Sequence, residues 1–344
     1  MKIKKVGIKD IAAMAGVSHT TVSRALRRDP KTKQKTIEKI LTIADEMGYY
    51  PNLLAKNLRE NKTNTIGIIF NDLNNPFYAE ILTVINEELV KENFSMIVSF
   101  SNYNFSREQE LLILMLSKKV DGIIISPIDG KSKNLKILFD NDIETVLIDS
   151  LPYYNNASYV YTDHRKSSAL ATEYLINNGH KKILLLTGPY KNSLVKQFVE
   201  GHISTLKDNN IKINKDLILN ADEHTIGSGY TAFKELINDY TTQRKLDFTA
   251  ILTNSDLIAI GVYKVAKELG IEIPANYSII GQDNIEITSI LSPPLTTIHQ
   301  PRKRIGAECA RILLNNIKNK NKKLILKTAL EPKLIIRGSV RKIN

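Results

Sequence analysis

Hydrophobic and polar positions change rhythm along this chain, helical in the first fifty residues and alternating between strand and helix thereafter. Residues 8–47 predict three short helices. The first, Ile8 to Met14, turns Ile8, Ile11 and Ala12 inward, and Gly16 follows at a turn where a positive φ costs little. Ser18 is placed to cap a second helix that ends at Leu26, with Val22, Ala25 and Leu26 on its apolar side. Lys33 to Met47 forms the third, burying Ile37, Ile40, Leu41 and Ala44, and Gly48 stops it.

From Thr65 onward short apolar runs alternate with amphipathic stretches. Candidate strands are TIGIIF (65–70), SMIVSF (95–100), DGIIIS (121–126) and TVLID (145–149). A second series comprises KILLLTG (182–188), FTAILTN (248–254), YSIIGQD (277–283) and KLIIRGS (333–339). Helical patterns lie between them, at Phe77–Glu92, Ser167–Asn178, Ser193–Asp208, Leu257–Leu269 and Arg302–Ile317. Strands apolar on both faces and separated by helices imply doubly wound parallel sheets, and two series imply two lobes. LSPPLTTIHQP (291–301) is a Pro-rich extended stretch placed for the chain to cross back between them. The fold class expected is an all-α helix-turn-helix head followed by a two-lobed α/β core.

Charge sharpens that division. Of 48 Lys and Arg against 36 Asp and Glu, residues 1–60 hold 13 and 6, so more than half of the net +12 lies in about a sixth of the chain. The head therefore expects an anionic partner, most plausibly nucleic acid. No stretch approaches the ~20 apolar residues a bilayer span needs, and no signal-peptide core follows the basic MKIKKVGIKD, so a cytoplasmic chain with no membrane partner is expected. The single cysteine, Cys309, falls on the apolar helix face Ile305, Cys309, Ile312 and predicts core packing.

Ala12, Gly16 and Val22 have the spacing of a helix-turn-helix: a small residue for close approach, a turn, and an apolar plug between helices. His19, Thr20, Ser23, Arg24 and Arg27 then form one stripe on the second helix. Short hydroxyls and arginines suit base edges and phosphates in a major groove better than they suit mere solvation.

IKDIAAMAGVSHTTVSRAL, followed by GYYPNLLAKNLRENKTNTIGIIF, closely resembles the LacI–GalR family of bacterial transcriptional repressors. The resemblance continues through NPFYAEI (75–81), DGIIIS, NNGHKKI (177–183), GQDN (281–284) and PPLTTIHQPRKRIGAECARILL (293–314). It implies that the second helix reads the operator, with Ser18, His19, Thr20, Thr21, Ser23, Arg24 and Arg27 at DNA. It also implies that Asn52, Ala55 and Leu58 belong to a hinge helix entering the minor groove, with Leu58 as the wedge. Eight residues are too few for a stable isolated helix, as such a segment requires. The implied organisation is a head over 1–50, a hinge over 51–64 and a core over 65–344. Within the core, the first lobe would take about 65–162 plus 293–322, and the second about 163–292 plus 323–344. A homodimer on a pseudopalindromic operator is expected, without the leucine heptads of a tail-built tetramer.

The core resembles the periplasmic sugar-binding fold, so an interlobe cleft beyond the strand ends is the expected ligand site. Asp72, Asn75, Phe77 and Tyr78 follow strand one, and Asp149, Asp256 and Asp283 follow later strands. Each aspartate could equally cap a turn or helix. The effector set taken from the resemblance is Asn75, Phe77, Tyr78, Asp149, Phe198, His224, Ser255 and Asp283. Two departures matter. Phe198 stands where many family members carry an effector-gripping Arg, and Ser255 replaces an Asn beside Asp256. Loss of a forked donor points away from a simple free sugar and further from a purine. It leaves a modified or larger carbohydrate, another metabolite, or a co-regulating protein. No phosphate loop, nucleophile elbow or metal-ligand spacing supports catalysis, a metal or a cofactor beyond that small-molecule effector. The function expected is a carbohydrate-linked repressor; a co-regulated activator or a global catabolite-type regulator is the alternative.

Overall fold

The structure is a computed structural model describing residues 6–49, 62–151, 156–190, 193–242, 247–319 and 323–343. Two compact units divide at residues 62 and 63. The hinge assignments Asn52, Ala55 and Leu58 lie outside the described residues.

In the first unit, α1 (Ile8–Ala15), α2 (His19–Leu26) and α3 (Gln34–Glu46) close on a core of Ile11, Ala12, Val22, Ala25, Ile37, Ile40 and Ala44. Ile43 joins that core, while Leu41 and Leu26 are only half-buried. Gly16 adopts φ 68° at the turn, in the left-handed region where a side chain would be strained. The Lys39 ammonium donates to the Ala15 carbonyl at 2.9 Å, tying α3 to the end of α1.

The second unit begins with β1 (Thr65–Phe70), α4 (Pro76–Lys91), β2 (Ser95–Phe100), α5 (Phe105–Ser117), β3 (Gly122–Ile125), α6 (Lys133–Asp140), β4 (Glu144–Ile148) and β5 (Ser158–Thr162). It continues through α7 (His164–Asn177), β6 (Ile183–Thr187), α8 (Ser193–Asp208), β7 (Ile218–Asn220), α9 (Ile226–Thr242), β8 (Ala250–Thr253), α10 (Asp256–Leu269) and β9 (Ser278–Asp283). It ends with β10 (Thr296–His299), α11 (Arg302–Lys318), β11 (Lys327–Leu330) and β12 (Lys333–Ile335).

One six-stranded sheet has the order β11-β5-β4-β3-β1-β2 and the other β12-β10-β9-β8-β6-β7. Pairing is parallel throughout except between β10 and β12. Alternate side chains serve opposite cores: Ile66, Ile68 and Phe70 pack toward α4 and α11, whereas Ile69 packs toward α5 and α6. In the second sheet, Leu184 and Leu186 meet α9 and α10, and Ile183 and Leu185 meet α7 and α8. Helices on both faces explain why the strands read as unbroken apolar runs.

The lobe boundaries need correction near the C-terminal end. β10 pairs with β9 in the second sheet, not with the first lobe, and β11 pairs with β5 in the first sheet, not with the second lobe. The chain thus changes lobe after β5, after β10 and again between β11 and β12. Four-residue strands carry too little pattern to show which sheet they join. The strand expected over 333–339 is regular only to Ile335, although Ser339 still accepts from the Ile279 amide at 2.8 Å. Cys309 is fully buried against Ile305 and Ile312, as its helix face implied.

Candidate nucleic-acid interface and ligand cleft

On α2 the side chains sort by chemistry. Val22 and Ala25 are fully buried, while His19, Thr20, Arg24 and Arg27 are exposed and Thr21 and Ser23 half-buried. The Ser18 hydroxyl accepts from the Thr21 amide at 3.1 Å, satisfying an open donor of the first helical turn. It also lies 2.7 Å from the Thr20 hydroxyl, so Ser18 sets the posture of its neighbours as well as capping the helix. Arg27 donates through Nε to the Ser23 carbonyl at 2.8 Å, anchoring its guanidinium beside the last turn. The result is a rigid helix end presenting hydroxyl, imidazole and guanidinium donors on one side.

The second site lies between the two sheets, beyond the carboxyl ends of their strands. The cleft encloses about 570 Å³ of empty space, the open solvent at its mouth included. Seven of the eight expected effector residues line it: Asn75, Phe77, Tyr78, Asp149, His224, Ser255 and Asp283. Phe198 does not. It is fully buried with Leu185, Val199, Leu252 and Ile280 in the core between α8 and the second sheet. Leu194 and Val195, one turn earlier on α8, line the cleft in its place, because the helix runs away from the strand ends. Asp72 accepts from the Asn74 amide at 2.8 Å and does not line the cleft. Asp256 lies beneath it, accepting from the Thr297 hydroxyl at 2.6 Å and the Ile285 amide at 2.9 Å.

Hydrogen bonds hold the lining in place. Asn75 caps α4, accepting from the Phe77 amide at 3.0 Å, which sets both aromatic residues that follow. Tyr78 lies against Phe70 with ring centres 4.6 Å apart, its hydroxyl 3.2 Å from that of Ser126. Burial, then the charge of Asp149, pushes the Tyr78 phenol well above the usual range, so it remains protonated. Asp149 meets His164 Nε2 at 3.2 Å, and Gln282 Nε2 lies 3.2 Å from His164 Nδ1. Asn254 accepts from the Gly188 amide at 2.9 Å and thereby aims Nδ2 at His224 Nε2, 3.1 Å away. Burial drives His224 down to about 4, so the ring is neutral near neutral pH. Gln300 donates to Asp283 at 2.7 Å. Burial, and then the neighbouring Asp256 charge, raises Asp283 well above the carboxylate range.

Tyr103, His164, Asn254, Gln282 and Gln300 were not foreseen as lining residues. Gln282 lies inside the GQDN motif and Gln300 beside the proline of IHQP, so both signals were present as motifs without a role. Tyr103 sits in a loop at φ 55°, and only tertiary structure shows where such a residue reaches.

A helix-turn-helix head and a two-lobed ligand-binding core together define a ligand-responsive DNA-binding regulator. Residues 7–52 match the family of bacterial regulatory proteins of the lacI type. Residues 63–335 match the periplasmic binding proteins and sugar binding domain of that family. The chain is 32% identical over 340 residues to the HTH-type transcriptional repressor PurR of Vibrio vulnificus, covering 98% of this chain and 99% of that protein. PurR of Histophilus somni strain 129Pt is 31% identical over 335 residues, covering 97% and 98%. The lac repressor dimer bound to operator and an anti-inducer shares the fold at TM-score 0.86 and 24% identity, covering 98% of this chain and 100% of that one. A LacI family regulator from Enterococcus faecium with bound ribose gives TM-score 0.70 at 27% identity, covering 81% and 100%. The chain belongs to the LacI family and is a transcriptional regulator, not an enzyme. Among the described residues no helix is long and apolar enough to cross a membrane.

Proposed function

We propose that the chain is a cytoplasmic repressor that binds a pseudopalindromic operator as a homodimer and yields or tightens its grip when a carbohydrate-like effector occupies the cleft. The observation that carries this reading is the donor stripe of α2: His19, Thr20, Arg24 and Arg27 exposed on a helix whose other side is core. In a major groove, Arg24 can span two acceptors of a guanine while Ser18 and the helix N-terminus meet phosphate. Two heads related by a two-fold axis require a site with the same symmetry. Closure of two lobes about a ligand supplies two states of the core, and an effector with unequal affinity for them shifts operator binding. The hinge residues Asn52, Ala55 and Leu58 are the proposed relay, by resemblance to the family.

A gel-shift titration against a library of symmetric duplexes tests the reading. Wild type should select a palindromic site, and Arg24→Ala should bind that site about 1–3 kcal/mol more weakly. Equal binding by the variant, or no preference over random duplex, would defeat it.

A further inference from the structure

We infer that the cleft is built for an amino sugar, a hydroxylated ring bearing one protonated amine, and is built against ligands carrying phosphate or carboxylate. The inference rests on the proposed reading of the cleft as the effector site and names the class of molecule it takes.

Charge is the first observation. Among the described residues no lysine or arginine lines the cleft, which holds the carboxyl groups of Asp149 and Asp283. Among the described residues neither carboxyl group forms an ion pair with a lysine or arginine, and the Asp149 carboxyl group lies 3.2 Å from His164 Nε2. Arg302 acts on the Asp283 carboxyl group from behind the cleft, where it binds the main-chain carbonyls of Asp283 and Asn284 and turns its Nε to Glu80, and this leaves Asp149 as the carboxyl group without a nearby guanidinium. Asp72 and Glu223 extend the negative field, since both act on the Tyr103 phenol at the cleft. In low-dielectric walls the charge of Asp149 is poorly screened, so it favours a cation and disfavours an anion.

Unmet hydrogen-bond capacity is the second and independent observation. Gln282 and Gln300 are 1% and 2% exposed, and the Oε1 atom of each is buried with no hydrogen-bond partner among the described residues. Their Nε2 atoms are engaged by His164 and Asp283, which leaves the carbonyl ends as acceptors awaiting donors. A buried acceptor without a donor costs ~1–3 kcal/mol, and a turn of either amide toward the cleft on ligand binding would let a hydroxyl or N–H group recover it. The described lining offers an anion less: it has amide, hydroxyl and imidazole groups but no guanidinium or ammonium. Phe198, standing where the family's forked donor is expected, is in the core.

Aromatic surface is the third. Phe77, Tyr78 and Tyr103 all line the cleft, and ring faces serve both the C–H side of a sugar and a nearby cation. Asp149 is the group assigned to the ammonium. Its side chain keeps 20% of its surface exposed, whereas Asp283 is enclosed and held by Gln300 and Ser255.

Calorimetric titration of the full chain near neutral pH tests this with glucosamine, galactosamine and mannosamine. Their parent hexoses, their N-acetyl forms, glucose 6-phosphate and glucuronate serve as the contrast. At least one amino sugar should bind roughly tenfold or more tightly than its parent and its N-acetyl form, and the two anions should not bind. Asp149→Asn should erase the difference between amine and parent. Asn tolerates the left-handed backbone at this position, φ 48°, and a circular dichroism melt checks the variant's fold. A parent hexose or an anion binding as well as the amine would overturn the inference, as would failure of every amino sugar to bind or retention of the preference in Asp149→Asn. Operator binding by the same preparation, measured by gel shift, reports separately on the repressor reading.

Discussion

Arg302 and Asn284 join the two lobes: the first residue of α11 donates through Nη2 to the carbonyl that follows Asp283, at 3.0 Å. The same guanidinium contacts the Asp283 carbonyl through Nη1 and Glu80 of α4 through Nε. One planar fork thus grips the main chain of a cleft-lining residue in one lobe and a carboxylate in the other, a geometry that lysine cannot reproduce. Asp283 has φ 121° and Asn284 φ 57°, so the grip falls on backbone already outside the relaxed regions.

Removing this fork should loosen the lobes. Arg302→Met is expected to cost about 2 kcal/mol in urea denaturation, less than a fully buried pair because Glu80 is a third exposed. Small-angle scattering should show a larger radius of gyration for the variant. An unchanged radius would mean that the lobes are held by other contacts.

The buried histidines set a pH dependence whose direction is fixed. Burial lowers His202 and His224 from their ordinary value of 6.5 to about 4. The unfolded chain therefore takes up these protons first, and the stability the neutral rings contribute is present above 6.5 and lost as pH falls toward 4. Asp256 acts oppositely: raised by burial from 3.8 to about 7, it favours the folded state at low pH and loses that advantage as pH rises through 7. His202→Gln isolates one contribution. It should reduce the slope of stability against pH between roughly 4.5 and 6 by up to about 1.4 kcal/mol per pH unit. An unaltered slope would show that His202 titrates in the native protein as it does in the unfolded chain.

Gly201 is a packing requirement rather than a turn. A Cβ there would collide with the Arg165 carbonyl and the Ser168 hydroxyl, where α7 and α8 touch. Gly201→Ala should cost about 2 kcal/mol by thermal or urea unfolding, since the main chain cannot step aside. A neutral result would mean that α8 can shift freely.

Gly188 plays the corresponding part in the cleft, where an added Cβ would run into the His224 ring. Gly188→Ala should push His224 out of its enclosed position and raise its pKa from about 4 toward 6.5, as followed by NMR of the imidazole protons. A pKa that stays near 4 would show the ring undisturbed.

At the head, Ser18→Ala should cost about 1 kcal/mol of helix stability, because the Thr21 amide loses its acceptor. Hydrogen exchange at the Thr21 amide in the full chain reads this directly, and faster exchange in the variant is the outcome expected.

Legibility in the sequence followed the strength of each local signal. The α2 face was readable because Ser18, Val22 and Ala25 fall at fixed offsets that only one helix orientation satisfies. Asp149 and Asp283 stand at the carboxyl ends of apolar strands, a position that by itself left a capping role open, and it was the family resemblance that singled them out. Tyr103 was not, since its place depends on a left-handed loop between β2 and α5. Phe198 was misassigned by position within a motif, because correspondence along α8 does not reveal how far each turn lies from the strand ends. The membership of β10 and β11 was likewise hidden, since a four-residue run carries no mark of its partner, whether that partner is nearby β9 or, for β11, a strand 168 residues earlier.

Because the last forty-odd residues are shared between the sheets, β11 and α11 complete a lobe whose other strands precede residue 163. On the ribosome the half that emerges earlier must therefore wait, with an edge of β5 unpaired, until residue 330 has been translated. Neither half can be excised as one uninterrupted piece of gene, and any synthetic exchange of sensing modules has to carry its final segment with it.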